Sequence, residues 1–185
     1  MRNVCRKRKI VFIHPTKCAG KSIEHVVFNF AKGSKSEHKR AADYDRNIIK
    51  DYFVFSVVRN PWDRYISQIL FDKRDPKDIK KFLEGDLDPK NSNGMGIIHG
   101  RSLWSYKDHF VINNKMVVDE VLRFENLEED WKKVAKITGI ESLPKINVNP
   151  DRKHYSHYYD DESKEMLRKL WSWDIEKFDY EYEVE

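Results

Sequence analysis

An α/β fold built on a parallel sheet is the architecture this sequence predicts, and three observations carry it. The stretches 9–14, 52–58 and 117–124 are short runs rich in β-branched and aromatic residues. The first two are nearly unbroken, the pattern of strands covered on both faces. Segments with helical spacing separate them, and strands alternating with helices imply parallel pairing. Finally, the first run leads into a loop of small residues, His14-Pro-Thr-Lys-Cys-Ala-Gly-Lys-Ser22, with a helix expected from Ser22.

The helical segments follow in order. Over 22–32, Ile23, Val26, Val27 and Phe30 fall on one side. Residues 61–73 open with Pro61 at a first helical position and set Tyr65, Ile69 and Leu70 on one stripe. Residues 127–138 carry Trp131, Val134, Ala135 and Ile137, and Gly139 ends them. Residues 160–171 begin with acids and turn Met166, Leu167 and Leu170 inward. The Gly- and Pro-containing stretch 85–100 reads as a loop bordering a site.

With 185 residues the chain suits one domain, 1–185, by the yardstick of about 150 residues per domain. Aromatic residues at 13% and hydrophobic residues at 39% exclude a disordered chain despite 36% charge. Two cysteines, Cys5 and Cys18, exclude a disulfide framework. No apolar run approaches the roughly 18 residues of a membrane span, and no signal-peptide core precedes the basic stretch at 6–9. The expectation is a soluble, cytoplasmic protein. Arg2, Arg6, Lys7, Arg8, Lys9, Lys35, Lys39 and Arg40 make the first part basic, which suits an anionic ligand.

Two segments carry the chemistry. A strand running through a small-residue loop into a helix directs backbone N–H groups outward, and the helix dipole adds to their attraction for anions. Gly20-Lys21-Ser22 matches the end of a P-loop, although Pro15 stands where that motif has its first glycine. The predicted fold class is therefore a single-domain, three-layer α/β fold with a central parallel sheet and a P-loop-like nucleotide-binding loop. The second segment is Val57-Val-Arg-Asn-Pro-Trp-Asp-Arg-Tyr-Ile-Ser67. There an arginine fork at Arg59 and a hydroxyl at Ser67 suit a phosphate monoester. Pairing of Arg59 with Asp63 is the structural alternative.

Together these segments resemble the sulfotransferase superfamily, in its carbohydrate, family 2-like branch. Leu122-Arg-Phe-Glu-Asn-Leu127, Leu143-Pro-Lys-Ile-Asn147 and the tyrosine-rich stretch from His154 to Tyr159 look like that family's later landmarks, in order. Cys18, Ala19 and Lys21 depart from its usual Thr, Gly and Thr. The resemblance implies transfer of a sulfuryl group from 3′-phosphoadenosine 5′-phosphosulfate (PAPS) to an acceptor hydroxyl on a carbohydrate or small molecule, leaving 3′-phosphoadenosine 5′-phosphate (PAP). It implies that Lys17, Cys18, Ala19, Gly20, Lys21 and Ser22 cradle the 5′-phosphosulfate, with Arg59 and Ser67 on the 3′-phosphate. Lys17 then stabilises the charge that collects on the leaving group, and no metal is expected. His38 is the expected general base, because related enzymes often carry a His before the arginine block and imidazole titrates near neutrality. His14, Glu24 and Glu37 stand in reserve. The expected partner is a small-molecule or glycan acceptor, not nucleic acid. Rival readings are a P-loop small-molecule kinase, a basic nucleic-acid binder, and a family member that binds nucleotide without turnover.

Overall fold

A computed structural model describes residues 2–31, 34–88, 104–146 and 152–185. The chain divides into two compact units, Met1–Arg59 with Asp108–Asn149, and Asn60–Lys107 with Pro150–Glu185.

The first unit holds the sheet. Strands β1 (Val4–Cys5), β2 (Ile10–Ile13), β3 (Phe53–Val58) and β6 (Glu120–Arg123) stand in the order β1-β2-β3-β6. β2, β3 and β6 are parallel, as the alternation predicts, with Ile13 opposite Ser56 and Val58 opposite Arg123. The edge strand β1 is antiparallel, joined to β2 by the exposed basic turn Arg6–Lys9, and is too short to leave a pattern in the sequence. Every residue of β2 and Val54 to Val58 of β3 are fully buried, so both faces of these strands are covered. Phe12 stacks on Phe55 at 5.1 Å, and Trp131 meets Phe55 edge-on at 6.1 Å. Asp119 fixes register, accepting from the Val54 N–H at 2.7 Å while its own N–H reaches the Val54 carbonyl at 2.8 Å.

Helix α1 (Gly20–Val27) starts two residues before the expected Ser22 and ends well short of residue 32. A short helix α2 (Arg46–Asp51) precedes β3, capped by the Asp45 carboxylate. The run expected as one strand over 117–124 is shorter: β4 (Val111–Ile112) and β5 (Lys115–Met116) form a separate hairpin, and only Glu120–Arg123 joins the sheet. The helix expected over 127–138 is divided at Trp131 into α6 (Leu127–Asp130) and α7 (Lys132–Thr138). Trp131 is buried, and its indole N–H donates to the Ile140 carbonyl at 2.9 Å. Gly139 takes φ 69° at the end of α7, as its position predicts.

The second unit is helical: α3 (Pro61–Phe71), α4 (Ile79–Leu87), α8 (Asp161–Leu170) and α9 (Ser172–Lys177). A further helix, α5 (Tyr106–Phe110), begins in this unit at Tyr106. The Asn60 side chain caps α3, accepting from the N–H groups of Trp62 and Asp63, and Pro61 occupies the first turn. The buried stripe of α3 is Trp62, Tyr65, Ile66 and Ile69; Leu70 is only half-buried. Asp160 and Ser163 form the capping box of α8. Arg64 is fully buried, its guanidinium over Tyr106 at 4.6 Å and Trp171 at 4.9 Å, and it donates to the Trp104 carbonyl. Asp174, also fully buried, accepts from the N–H groups of Tyr106 and Lys107. The stretch expected as a loop over 85–100 begins inside α4, and its part beyond Asp88 lies outside the described residues.

Candidate functional site

The carboxyl ends of parallel strands are where open α/β sheets bind ligands, because loops and helix N-termini converge there. In the first unit the ends of β2, β3 and β6 deliver the loop after Ile13, Arg59 and Phe124 along one edge.

The loop has the backbone of an anion cradle. Lys17 and Ala19 both take left-handed conformations, φ 64° and φ 55°. Left-handed residues alternating with ordinary ones turn successive N–H groups into a common concavity. Ala19 is the N-cap of α1 and brings no side-chain hydrogen bond to the first turn. The start of α1 is therefore not sealed by its own cap, which suits an anion against the positive end of the dipole. Cys18 is fully buried, its thiol 3.4 Å from the Thr16 carbonyl, so its side chain is turned into the protein. Ser22 is buried, and its hydroxyl accepts from the Ile146 N–H at 3.4 Å. The Lys21 ammonium donates to the Ser34 carbonyl.

Arg59 is nearly buried. Its Nη1 donates to the Lys17 carbonyl at 3.1 Å, and its guanidinium lies 4.0 Å above the Phe124 ring. Carbonyl and ring together fix the plane of the guanidinium. Sequence reasoning misses Phe124 as a site residue; its signal is its place inside the Leu122–Leu127 landmark, one residue past β6. Ser67 is half-buried on α3 of the second unit.

Beside the loop is a cluster of polar side chains. The His14 Nδ1 is 3.1 Å from Glu24 Oε1, and each side chain is at most 3% exposed. Burial pushes the Glu24 carboxyl pKa up. The hydrogen bond and charge of His14, with hydrogen bonds from Ser36 and Asn3, outweigh it and leave the pKa below its ordinary value. Ser36 donates to Glu24 Oε2 at 2.6 Å. A β-carbon on Gly20 would fall 1.6 Å from His14 Nε2, so only glycine admits this ring. His38, half-buried, hydrogen-bonds through Nδ1 to the His14 carbonyl at 3.1 Å, with the two imidazoles edge-to-face at 4.4 Å. Of the reserve bases, His14 and Glu24 are closed to an acceptor by burial. Glu37 is held by Lys39 at 3.0 Å and Arg2 at 4.0 Å.

No group of three or more His, Cys, Asp or Glu side chains placed to hold a metal ion occurs among the described residues. No helix among them is long and apolar enough to cross a membrane.

A left-handed small-residue loop after β2, with an arginine after β3, sits where α/β folds with parallel strands bind their ligands. The family model described as "Sulfotransferase family" matches residues 2–181, and the chain belongs to the sulfotransferase family. An uncharacterized protein of Archaeoglobus fulgidus is 29% identical over 108 residues, spanning 56% of this chain and 82% of the relative. No solved structure matches the chain significantly.

Proposed function

We propose that this protein, acting as a single domain over 1–185, moves a sulfuryl group from PAPS to a hydroxyl of a carbohydrate or small molecule. The observation that carries the reading is the bond from Arg59 to the carbonyl of Lys17, which joins the arginine after β3 to the left-handed loop after β2. PAPS supplies the activated sulfuryl group; the roles that follow belong to the chain. Residues 17–22 hold the 5′-phosphosulfate, chiefly through main-chain N–H groups. For Lys21 the main chain suits this role better than the side chain, which is engaged with Ser34. The Ser22 N–H is donated to the Ala19 carbonyl at 3.0 Å, so Ser22 contributes through its hydroxyl, which accepts from the Ile146 N–H and keeps its own proton to donate. Arg59 and Ser67 address the 3′-phosphate. The Lys17 ammonium neutralises charge developing on the leaving phosphate.

His38 takes the acceptor proton. A carbonyl oxygen can only accept, so the contact with His14 puts the His38 proton on Nδ1 and leaves the Nε2 lone pair as the basic site. A kinase reading would need the Lys21 ammonium on a phosphate, and its bond to Ser34 weighs against that. The test is a screen of hydroxyl acceptors with sulfur-labelled PAPS, beside a parallel assay with labelled ATP. Labelled product from PAPS alone supports the proposal, and product from ATP alone overturns it.

A further inference from the structure

The buried Glu24 carboxylate takes no part in the chemistry proposed above, yet it joins two chain segments that meet at His38. One oxygen contacts His14 on the segment leaving β2, and the other accepts from Ser36, two residues before His38. His14 in turn offers its carbonyl to His38 Nδ1. The segment 34–38 has other ties to the first unit, through Lys21 to the Ser34 carbonyl, Arg2 to the Lys35 carbonyl and Asn3 to the Glu37 carbonyl. The Ser36–Glu24 and His38–His14 contacts bear directly on the orientation of the His38 ring.

We infer that Glu24 is a positioning residue for His38, holding its imidazole in the Nδ1–H tautomer through His14 on one side and Ser36 on the other. The inference rests on the reading of His38 as the general base, but its structural half stands apart from that reading. With its pKa below the ordinary value, the Glu24 carboxyl is ionised at neutral pH and only accepts hydrogen bonds. His14 Nδ1 therefore carries a proton, its ring is fixed, and its Nε2 edge is set against Gly20. The ring cannot swing without losing the carboxylate, and the His38 ring packs edge-on against it. The titratable groups around this arrangement are His14 from the β2 segment, Glu24 from α1, Glu37 and Lys39 on the segment of His38, and Tyr44, whose burial and acidic neighbours, Glu24 among them, raise its phenol pKa. A neutral carboxamide at position 24 has the same shape but offers one acceptor atom instead of two. Its amide N–H can still donate to the Ser36 hydroxyl, so the link to Ser36 reverses direction and both links lose the charge that strengthens them.

The experiment uses the full chain and three variants, Glu24→Gln, Ser36→Ala and His38→Ala. PAP affinity is measured by calorimetry, kcat with labelled PAPS, and histidine tautomers by nitrogen-15 NMR of the imidazoles. Glu24→Gln and Ser36→Ala should each lower kcat about tenfold or more, since misplacement of a reacting group by about an ångström can cost 10²-fold. PAP affinity should stay within about twofold of wild type, and the His38 resonances should shift from a pure Nδ1–H form to a tautomer mixture. An unchanged His38 tautomer in both variants overturns the inference. So does a loss of PAP affinity in step with kcat, which would make Glu24 a scaffold of the loop. If His38→Ala keeps full turnover, the general-base reading fails, and the tautomer spectra still decide the role of Glu24. Should Glu24→Gln not fold, Ser36→Ala, which removes one half-buried hydroxyl, decides the question by the same two readouts.

Discussion

Arg59 donates from Nη1 to the main-chain oxygen of Lys17 at 3.1 Å, so the residue after β3 and the loop after β2 are joined directly. The bond falls on a left-handed residue, and left-handed backbone at a non-glycine position persists only where its surroundings hold it. Arg59 thus has two jobs in the proposed enzyme. It supplies charge to a phosphate, and it helps maintain the loop that carries Lys17. Phe124, beneath the guanidinium, keeps both within reach of one side chain.

The first prediction separates those jobs by the nucleotide's 3′-end. Wild-type protein should bind PAP far better than AMP. Arg59→Ala should remove about 1.5–3 kcal/mol from the PAP complex, roughly 10- to 150-fold, and leave AMP affinity much less affected. Arg59→Lys should restore little, because an ammonium has no planar fork to lie on Phe124 while bonding the Lys17 carbonyl. Calorimetry with both nucleotides checks this, and equal affinity of wild type for PAP and AMP contradicts it.

Lys17 should matter to the transition state more than to the ground state. Lys17→Ala is expected to lower kcat by at least about tenfold with a smaller change in PAP affinity, the signature of a contact strengthened as charge develops. Because an ammonium supplies the positive charge, transfer should continue in excess EDTA. An obligatory requirement for added Mg²⁺ would return the kinase reading.

Gly20 should not tolerate a side chain. The methyl group of Gly20→Ala would fall 1.6 Å from His14 Nε2, and that ring is held by Glu24. Overpacking of this kind costs about 1–3 kcal/mol, a drop of several degrees in Tm for a chain of this length. The same substitution in a His14→Ala background should cost much less. Equal losses in the two backgrounds would show that the clash is relieved some other way.

Much of this was legible in advance. Near-continuous β-branched and aromatic runs marked β2 and β3, since a strand buried on both faces has nothing polar to alternate with. The loop after β2 and Arg59 after β3 stand where the sequence puts them, at the ends of those strands. Short elements were not legible. β1 has two residues and the hairpin β4–β5 four, too few for any period to show. The division of 127–138 at Trp131 was hidden because its apolar spacing continues across the break. Phe124 as the support of Arg59 and the pairing of His14 with Glu24 are tertiary facts. Nine residues, a left-handed loop among them, separate His14 from Glu24, and periodicity says nothing across such a gap.

Acid should weaken the end of β6 through Asp130. Burial raises its carboxyl pKa, but the Arg123 N–H at 2.7 Å and the Lys133 ammonium at 3.1 Å outweigh burial and leave it below the ordinary 3.8. A group with a lowered folded pKa stabilises fully above its unfolded value, and that contribution fades as pH falls through the folded one. Asp130→Asn should therefore cost about 1–2 kcal/mol at neutral pH, judged against the 1.5–3 kcal/mol of a charged hydrogen bond. The difference from wild type should shrink progressively below about pH 4. Denaturant titrations at pH 7 and pH 3 test the sign, and a gap that widens in acid refutes it.

His38 gives the last prediction. In the proposed mechanism its Nε2 must accept the acceptor's proton while Nδ1 stays bonded to the His14 carbonyl. His38→Ala should lower kcat about 10²- to 10⁴-fold, the usual contribution of a positioned base, with PAP affinity retained. His38→Gln is the more discriminating change. Its amide N–H can still donate to the His14 carbonyl and so preserve the local structure, but it has no basic nitrogen. Turnover in His38→Gln should be as poor as in His38→Ala, and the acidic limb of the pH–rate profile should vanish in both. Should His38→Gln keep wild-type turnover and the same acidic limb, the imidazole is only a structural contact. His14 and Glu24 are too deeply buried to replace it, which would leave Glu37 as the remaining acid–base group from the same part of the chain.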